Sequence, residues 1–228
     1  MGRIFVLRHG ESTANVEGLI VSRPGPRALT EVGLTALGRE QARAAGTGSG
    51  LGADAVIVTS DFARARETAA EFAAAIGAAE PVVDVRLRER CFGAFDEGPA
   101  AAYDRVWAAD ASGAHPGEEV ESVEEVAARA MAVLEDARDR PGQAPVVLVA
   151  HGDVLQILLA VASGRPAREH RALAHLGNAE LREIPAAIAA PAGATVPAGV
   201  ADAHGVAAPA GAADSAGFAA PTGARDDA

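Results

Sequence analysis

Short apolar runs alternate along the chain with longer segments whose apolar residues recur at helical spacing. Each run is rich in β-branched residues and too short for a helix, which predicts strands buried on both faces. A shorter segment in which apolar and polar residues alternate, "NAELREI" at 178–184, predicts an edge strand. The four runs are "RIFVLRHG" at 3–10, "DAVIVTS" at 54–60, "PVVDVRLRE" at 81–89 and "APVVLVAHG" at 144–152.

The segments between the runs carry helix signals. Thr35 and Ser60 are suited to cap the N-termini of two of them, and Ser122 with Glu125 forms the sequence pattern of a capping box. Residues 14–33 contain the breaker "RPGPR" and are expected to be irregular. The helical segments are "LTALGREQARAAG" at 34–46, "SDFARARETAAEFAAAIG" at 60–77, "YDRVWAADA" at 103–111, "SVEEVAARAMAVLEDARDR" at 122–140 and "DVLQILLAVASG" at 153–164.

Alternating strands and helices predict an α/β fold, a three-layer α/β/α sandwich with a mainly parallel sheet. We assign this domain to residues 1–185. Residues 186–228 are mostly Ala, Gly and Pro without a sustained apolar period. Such a segment buries too little surface to offset the entropy of ordering, so we expect a disordered tail.

Charge and composition narrow the classes of function. With 20 basic and 31 acidic residues the formal net charge is −11, so we expect neither nucleic acid nor a membrane surface as partner. The sequence has no lysine, which excludes Schiff-base chemistry and the lysine-containing P-loop. A single cysteine, Cys91, and an N-terminal apolar run too short to be a signal peptide favour a cytoplasmic protein. Nothing in the sequence indicates the oligomeric state.

Reactive residues follow three of the predicted strands. Arg8 and His9 end the first, Ser60 to Arg64 follow the second, and His151 ends the fourth. Ligand sites in parallel sheets collect at the carboxyl ends of strands, so these residues are expected to meet. The string "LRHGES" at 7–12 suits an anionic ligand, because guanidinium binds phosphate oxygens in a fork and neutral imidazole attacks phosphorus. Gly10 is expected to let the backbone approach that ligand.

These motifs resemble the histidine phosphatase superfamily, also called the phosphoglycerate mutase-like family, over residues 3–184. The resemblance implies that His9 is the nucleophile that becomes phosphorylated. It implies that Arg8 and Arg64 grip the phosphate, that His151 contacts it, and that Asn15 helps to hold it. A protonated His151 would add to the positive charge over the phosphate oxygens. Glu89 matches the acid that donates a proton and later acts as base. The matching strings are "LRHGESTAN", "LTALGREQA", "TSDFARARETA", "LRERCFGAF" and "VAHGD".

Several assignments have alternatives. Asp96, Glu97 or Glu118 lies near enough in sequence to replace Glu89 as the acid, and Asn15 also suits a plain turn. The segment "HPGEE" at 115–119 is expected to be a loop, with access to the site as a second role. Aromatic residues after the acid motif suit either the leaving-group side of the site or the core: Phe92, Phe95, Tyr103 and Trp107. His170 and His175 suit surface or core positions better than the pocket mouth.

We expect neither a metal nor another cofactor, since no histidine pair has the spacing of a zinc helix and no cysteine cluster exists. The expected function is a metal-independent phosphomonoesterase acting on a small phosphorylated metabolite through a phosphohistidine. A mutase-type phosphotransferase is less favoured, because the segment after the acid motif is short and acidic, with Arg105 its only basic residue. A non-catalytic phospho-ligand-binding protein is the third hypothesis.

Overall fold

The computed structural model describes residues 2–117 and 119–185. Five strands and six α-helices alternate along this part of the chain. In chain order they are β1 (Ile4–Arg8), α1 (Thr13–Glu17), α2 (Ala36–Gly48), β2 (Val56–Thr59), α3 (Ala63–Ile76), β3 (Val82–Val83), α4 (Ala102–Ser112), α5 (Val123–Arg138), β4 (Val146–Ala150), α6 (Gly152–Ala162) and β5 (Leu181–Glu183).

The strands form one sheet in the order β3-β2-β4-β1-β5. The first four are parallel, and β5 pairs antiparallel with β1 at the edge. In the register, Arg8 lies opposite Ala150, and Thr59 lies opposite Val149. The carboxyl ends of β1, β4 and β2 therefore lie side by side, and the residues that follow these strands emerge at one edge of the sheet.

Helices cover both faces of the sheet. On one face, Val6 and Leu148 pack in a buried cluster with residues of α5 and α6, such as Leu134 and Ile157. On the other face, Leu7 and Val149 pack with residues of α3, including Phe72. Alternate residues of β1 and β4 thus serve opposite layers, as the period of a strand requires. The predicted α/β fold with three layers and a mainly parallel sheet is confirmed.

Three local predictions are wrong. Residues 14–33 are not wholly irregular, because Ser12 and Asn15 form a capping box that starts α1, and a π-type turn spans Arg27–Glu31. The third run yields only the two-residue β3, since the Asp84 side chain accepts a hydrogen bond from the Arg86 backbone and turns the chain into a 3₁₀ turn. Ser60 does not cap α3, whose N-cap is Phe62.

Other local predictions are confirmed. The Thr35 side chain caps α2, which ends at Gly48, two residues beyond the expected Gly46. Ser122 and Glu125 form the predicted capping box of α5. The predicted edge strand is β5.

The expected tail, residues 186–228, lies outside the described residues, so the domain boundary at 185 stays a prediction. Among the residues that the structure describes, no helix is long and apolar enough to cross a membrane. Within the same residues, no cluster of three or more His, Cys, Asp or Glu side chains is arranged to hold a metal ion.

Candidate active site

His9 follows β1 and lies almost fully buried, 3% exposed, at the carboxyl edge of the sheet. Its Nδ1 is 2.7 Å from the carbonyl oxygen of Gly10, and its Nε2 is 3.2 Å from Nε of Arg64. A carbonyl only accepts and a guanidinium only donates, so Nδ1 carries the proton and Nε2 holds a lone pair. Nε2 is therefore the unprotonated nitrogen of this imidazole.

The pKa of His9 lies well below its usual 6.5, because burial disfavours the imidazolium and the charges of Arg64 and Arg8 disfavour it further. His9 is therefore neutral at physiological pH. A neutral imidazole with an unprotonated nitrogen is the form that attacks an electrophile.

The loop after β1 is held by close packing. A side chain at Gly10 would overlap the carbonyl of Gly38 in the first turn of α2, and one at Gly38 would overlap the carbonyl of Glu11. The Gly10 N–H donates to Oγ1 of Thr68 on α3. Gly10 therefore allows the close approach of α2, whereas it was expected to allow the close approach of the ligand.

Arg8 and Arg64 flank His9 and keep donor groups free. Arg8 Nη1 donates to the carbonyl of Leu176 at 2.8 Å, and Arg64 Nη2 donates to the carbonyl of Val21 at 2.9 Å. Nε of Arg8 and Nη1 of Arg64 are buried and have no hydrogen-bond partner in the described part of the chain. Buried donors of this kind cost free energy unless a ligand satisfies them.

His151 is fully buried, and its ring centroid lies 5.3 Å from that of His9. Its Nε2 is 2.9 Å from Oγ of Ser60, which also accepts from the Phe62 N–H. A hydroxyl can donate or accept, so this contact fits either tautomer of the ring. Nδ1 of His151 is a third buried atom without a partner among the described residues. Ser60 was not predicted to have this role, because only the packing of β2 beside β4 brings it to His151.

The pKa of His151 also lies well below 6.5, first because of burial and then because of the charge of Arg64. A protonated His151 was expected from the sequence. In this environment the ring is instead neutral at physiological pH.

Glu89 lines the same pocket and is 8% exposed. Burial raises the pKa of its carboxyl above the usual 4.5, and the charge of Asp153 raises it further, while Arg64 acts in the opposite sense. Oε1 accepts the backbone N–H groups of Arg90 and Val154, which leaves Oε2 to carry a proton. A carboxyl with a raised pKa is suited to general acid catalysis.

The alternative acids that the structure describes form other contacts. Asp96 accepts hydrogen bonds from the backbone and side chain of Ser22. Glu97 is exposed and lies 3.7 Å from Arg27. Glu118 is outside the described residues. Neither Asp96 nor Glu97 lines the pocket that contains His9 and Glu89.

Asn15 lines the pocket, but its Oδ1 is already used. It accepts from the backbone and side chain of Ser12, and Asn178 Nδ2 lies 3.3 Å away. Asn15 is therefore a cap of α1 whose amide N–H₂ is left for a ligand. The role predicted for it stays a prediction.

The cavity in front of His9 encloses about 140 Å³. Tyr103 and Trp107, from α4, form one wall as a stacked pair with centroids 5.2 Å apart. Phe92 is fully buried beneath Tyr103, so the aromatic residues divide between the pocket and the core. His170 is a core residue, whereas His175 reaches the pocket and lies 3.2 Å from Arg8 Nη1.

Sequence reasoning missed three further residues of the pocket region. Asp153 and Arg171 line the cavity, and Asn178 donates to the carbonyl of His9 at 3.1 Å. Asp153 directly follows the "HG" string, which is a usable signal, but Arg171 and Asn178 are brought to the site only by the course of the chain after α6.

The family comparison agrees with the motifs. Residues 4–187 match the model of the histidine phosphatase superfamily (branch 1). A relative from Photorhabdus laumondii, named probable phosphoglycerate mutase GpmB, is 30% identical over 190 residues, which are 81% of this chain and 85% of that protein. A protein of the same name from Escherichia coli is 31% identical over 179 residues, covering 76% and 80% of the two chains.

A solved structure is also similar. The mycobacterial glucosyl-3-phosphoglycerate phosphatase in complex with VO3 matches with a TM-score of 0.65 and 33% identity, over 80% of this chain and 90% of that one. The matched family region contains the whole sheet and each strand end that contributes to the pocket. The protein is therefore a member of the histidine phosphatase superfamily, as its motifs predicted.

Proposed function

We propose that the protein is a metal-independent phosphomonoesterase that hydrolyses a small phosphorylated metabolite through a phosphohistidine on His9. The observation that carries this proposal is the unprotonated Nε2 of His9 in a pocket with three buried nitrogen atoms that lack a partner among the described residues. These atoms belong to Arg8, Arg64 and His151.

In the first step, Nε2 of His9 attacks the phosphorus of the ester. The Nε2–P bond forms as the bond from phosphorus to the ester oxygen breaks. The leaving oxygen takes the proton of the Glu89 carboxyl and departs as an alcohol. The raised pKa of Glu89 supports this role, because it keeps the proton available at higher pH.

In the second step, water attacks the phosphorus of the phosphohistidine. Glu89, now a carboxylate, accepts a proton from that water, and the Nε2–P bond breaks. Inorganic phosphate leaves, and both His9 and Glu89 return to their starting forms. The same carboxyl thus acts as acid and then as base.

Charge on the transferred phosphoryl group needs stabilisation throughout. Arg8 Nε and Arg64 Nη1 supply positive charge from buried, fixed positions. In this proposal His151 has its proton on Nδ1 and supplies a neutral donor. Fixed donors in a dry site stabilise the transition state without reorganisation. In this proposal the two arginines do what a metal ion does in other phosphatases.

A mutase-type phosphotransferase is the second candidate, because two relatives are named probable phosphoglycerate mutase. The similar mycobacterial structure is named a phosphatase, which favours hydrolysis. A non-catalytic binding protein is least favoured, because nucleophile, donors and acid are all present.

The test is phosphate release from p-nitrophenyl phosphate, sugar phosphates and 3-phosphoglycerate in the presence of EDTA, for the wild type and His9→Ala. His115→Ala is the matched control, because His115 lies in the exposed loop after α4. We expect release that survives chelation, is abolished by His9→Ala and is unchanged by His115→Ala. Rapid quench and mass spectrometry should find one phosphoryl group on His9.

Release that requires a metal, or that persists in His9→Ala, would contradict the mechanism. If the wild type releases no phosphate but forms 2-phosphoglycerate from 3-phosphoglycerate after priming with a bisphosphate, the protein is a mutase. Binding of phosphate without either reaction would identify a binding protein.

A further inference from the structure

Arg171 is a third cation at the pocket, and the chemistry proposed above does not use it. It lies on the 3₁₀ turn Ala167–Ala172 and lines the same cavity as Arg8 and Arg64. Its side chain is half-buried. No carboxylate of the described residues lies within ion-pair distance of it, whereas Arg165 beside the same turn is paired with Glu169.

The guanidinium of Arg171 is held in place by an aromatic ring. Its central carbon lies 3.8 Å from the centroid of Trp107. Trp107 is itself fixed, because its Nε1 donates to both carboxylate oxygens of Asp153, at 2.9 and 3.0 Å. A cation over an indole face keeps its N–H groups free at the rim of the guanidinium, so Arg171 is oriented but not neutralised.

The charge of Arg171 acts on the groups at the pocket mouth. Burial lowers the pKa of Arg8, the charges of Glu89 and Asp153 raise it, and the positive charge of Arg171 lowers it. Burial likewise lowers the pKa of His175, followed by the charges of Arg8 and Arg171. The acidic groups near Arg8 are Glu89, which works on the leaving oxygen, and Asp153, which holds Trp107. One phosphoryl group against His9 satisfies Arg8 and Arg64 but leaves Arg171 without a counter-charge.

We propose that Arg171 binds a second anionic group, a carboxylate or another phosphate, on the leaving-group side of the substrate. The substrate class is then a phosphomonoester with two anionic groups, one at His9 and one at the Trp107 wall. This inference rests on the proposed phosphatase function and assigns Arg171 as a specificity-determining residue. It also corrects the view that the acidic segment after Glu89 leaves a second anion without a partner, since the cation comes from the turn after α6.

The experiment compares matched esters. For the carboxylate arm, kcat/KM is measured for 3-phosphoglycerate and for glycerol 3-phosphate, which has a hydroxymethyl group in place of the carboxylate. For the phosphate arm, fructose 1,6-bisphosphate is compared with fructose 6-phosphate. The variant is Arg171→Gln, and the control is Arg168→Gln, an exposed arginine on the same turn.

We expect the wild type to prefer the doubly anionic member of at least one pair. Arg171→Gln should reduce that preference about 10- to 100-fold, mainly through KM, as expected for the loss of a charged hydrogen bond. Arg168→Gln should leave the preference unchanged, and Arg171→Lys, which keeps the charge, should restore part of it. The arm that responds identifies the anion.

A wild type that hydrolyses the esters with equal preference in both pairs overturns this inference and leaves the phosphatase function standing. The same holds if Arg171→Gln lowers the melting temperature and all rates together, because that is the result of a purely structural cation–π contact. Absence of hydrolysis of every ester by the wild type counts against the proposed function itself.

Discussion

Burial moves the two proposed catalytic groups in opposite directions. It lowers the pKa of His9, where the charged form is a cation, and raises that of Glu89, where the charged form is an anion. His9 is thus neutral down to pH values below 6.5, and Glu89 stays protonated above 4.5. The two shifts widen the pH range in which nucleophile and acid are both ready.

The opposite pKa shifts predict how kcat/KM for an alkyl phosphate substrate depends on pH. kcat/KM should fall at the alkaline end as Glu89 loses its proton, and the fall caused by protonation of His9 should lie below pH 6.5. Glu89→Gln cannot donate a proton, so the alkaline limb should flatten and the rate should drop about 10²- to 10⁴-fold. Steady-state profiles of both proteins check this expectation.

The leaving group gives a second readout for the same variant. p-Nitrophenolate departs without help from an acid, so Glu89→Gln should still form the phosphohistidine from p-nitrophenyl phosphate. The product should appear as a burst close to one equivalent, followed by slow turnover, because the base for the second step is lost. An alkaline limb that survives in Glu89→Gln would assign the acid to another residue.

Much of the candidate site could be predicted from the sequence, whereas features that depend on tertiary packing could not. His9, Arg8 and Arg64 follow strands, where parallel pairing brings side chains together, and all of them meet at one pocket. The tautomer of His9 was not predictable, because it depends on contacts with Gly10 and Arg64 that arise on packing. Arg171 has no motif, and its position follows from the path of the chain after α6.

Among the secondary-structure elements, α2 packs against the loop that carries His9. Its first turn packs so closely on the loop after β1 that Gly38 has no room for a side chain. The last residue of the same helix, Gly48, has open space around its Cα. Substitution of these two glycines by alanine is therefore expected to affect stability differently.

Gly38→Ala should destabilise the protein by about 1–3 kcal/mol, the usual cost of overpacking, and should lower kcat/KM by shifting the His9 loop. Gly48→Ala should be neutral or stabilise by up to about 1 kcal/mol, because alanine restricts the unfolded chain. Urea denaturation and turnover of both variants check the pair. Equal effects of the two substitutions would rule out the close approach as the cause.

Element predictions succeeded where local signals decide the structure and failed where tertiary contacts do. The Ser122–Glu125 capping box was readable, since both partners lie within four residues. The shortness of β3 was not, because it depends on Asp84 turning the chain toward Arg86 at an edge of the sheet. Ser60 was suited to cap α3, but its hydroxyl is taken by His151.

For the whole molecule, a buried ion pair ties α4 to the rest of the domain. Arg90 is fully buried and donates two hydrogen bonds to Asp110 on α4, at 2.6 and 2.9 Å. It also donates to the carbonyl of Glu121 at 2.7 Å, ahead of α5. The aromatic wall of the pocket therefore depends on this arginine for its position.

Asp110→Ala should lower the free energy of unfolding by about 3 kcal/mol, the lower end of the range for a broken buried ion pair, because Asp153 still lies 3.5 Å from the Arg90 guanidinium. Asp104→Ala, at an exposed position on the same helix, should change it by no more than about 0.5 kcal/mol. Chemical denaturation measures both values. A loss at position 110 as small as that at position 104 would show that water reaches Arg90.

The sheet order also determines when the protein can first acquire its architecture during synthesis. β1, at the N-terminus, has β4 and β5 as its only neighbours in the described sheet, and its partners begin at Val146 and Leu181. Contacts so distant in sequence form slowly, since a long loop must close before they stabilise the chain. The apolar β1 therefore cannot pair until most of the domain has been synthesised. Until then its unpaired apolar residues are prone to aggregation, which is the hazard that chaperones limit.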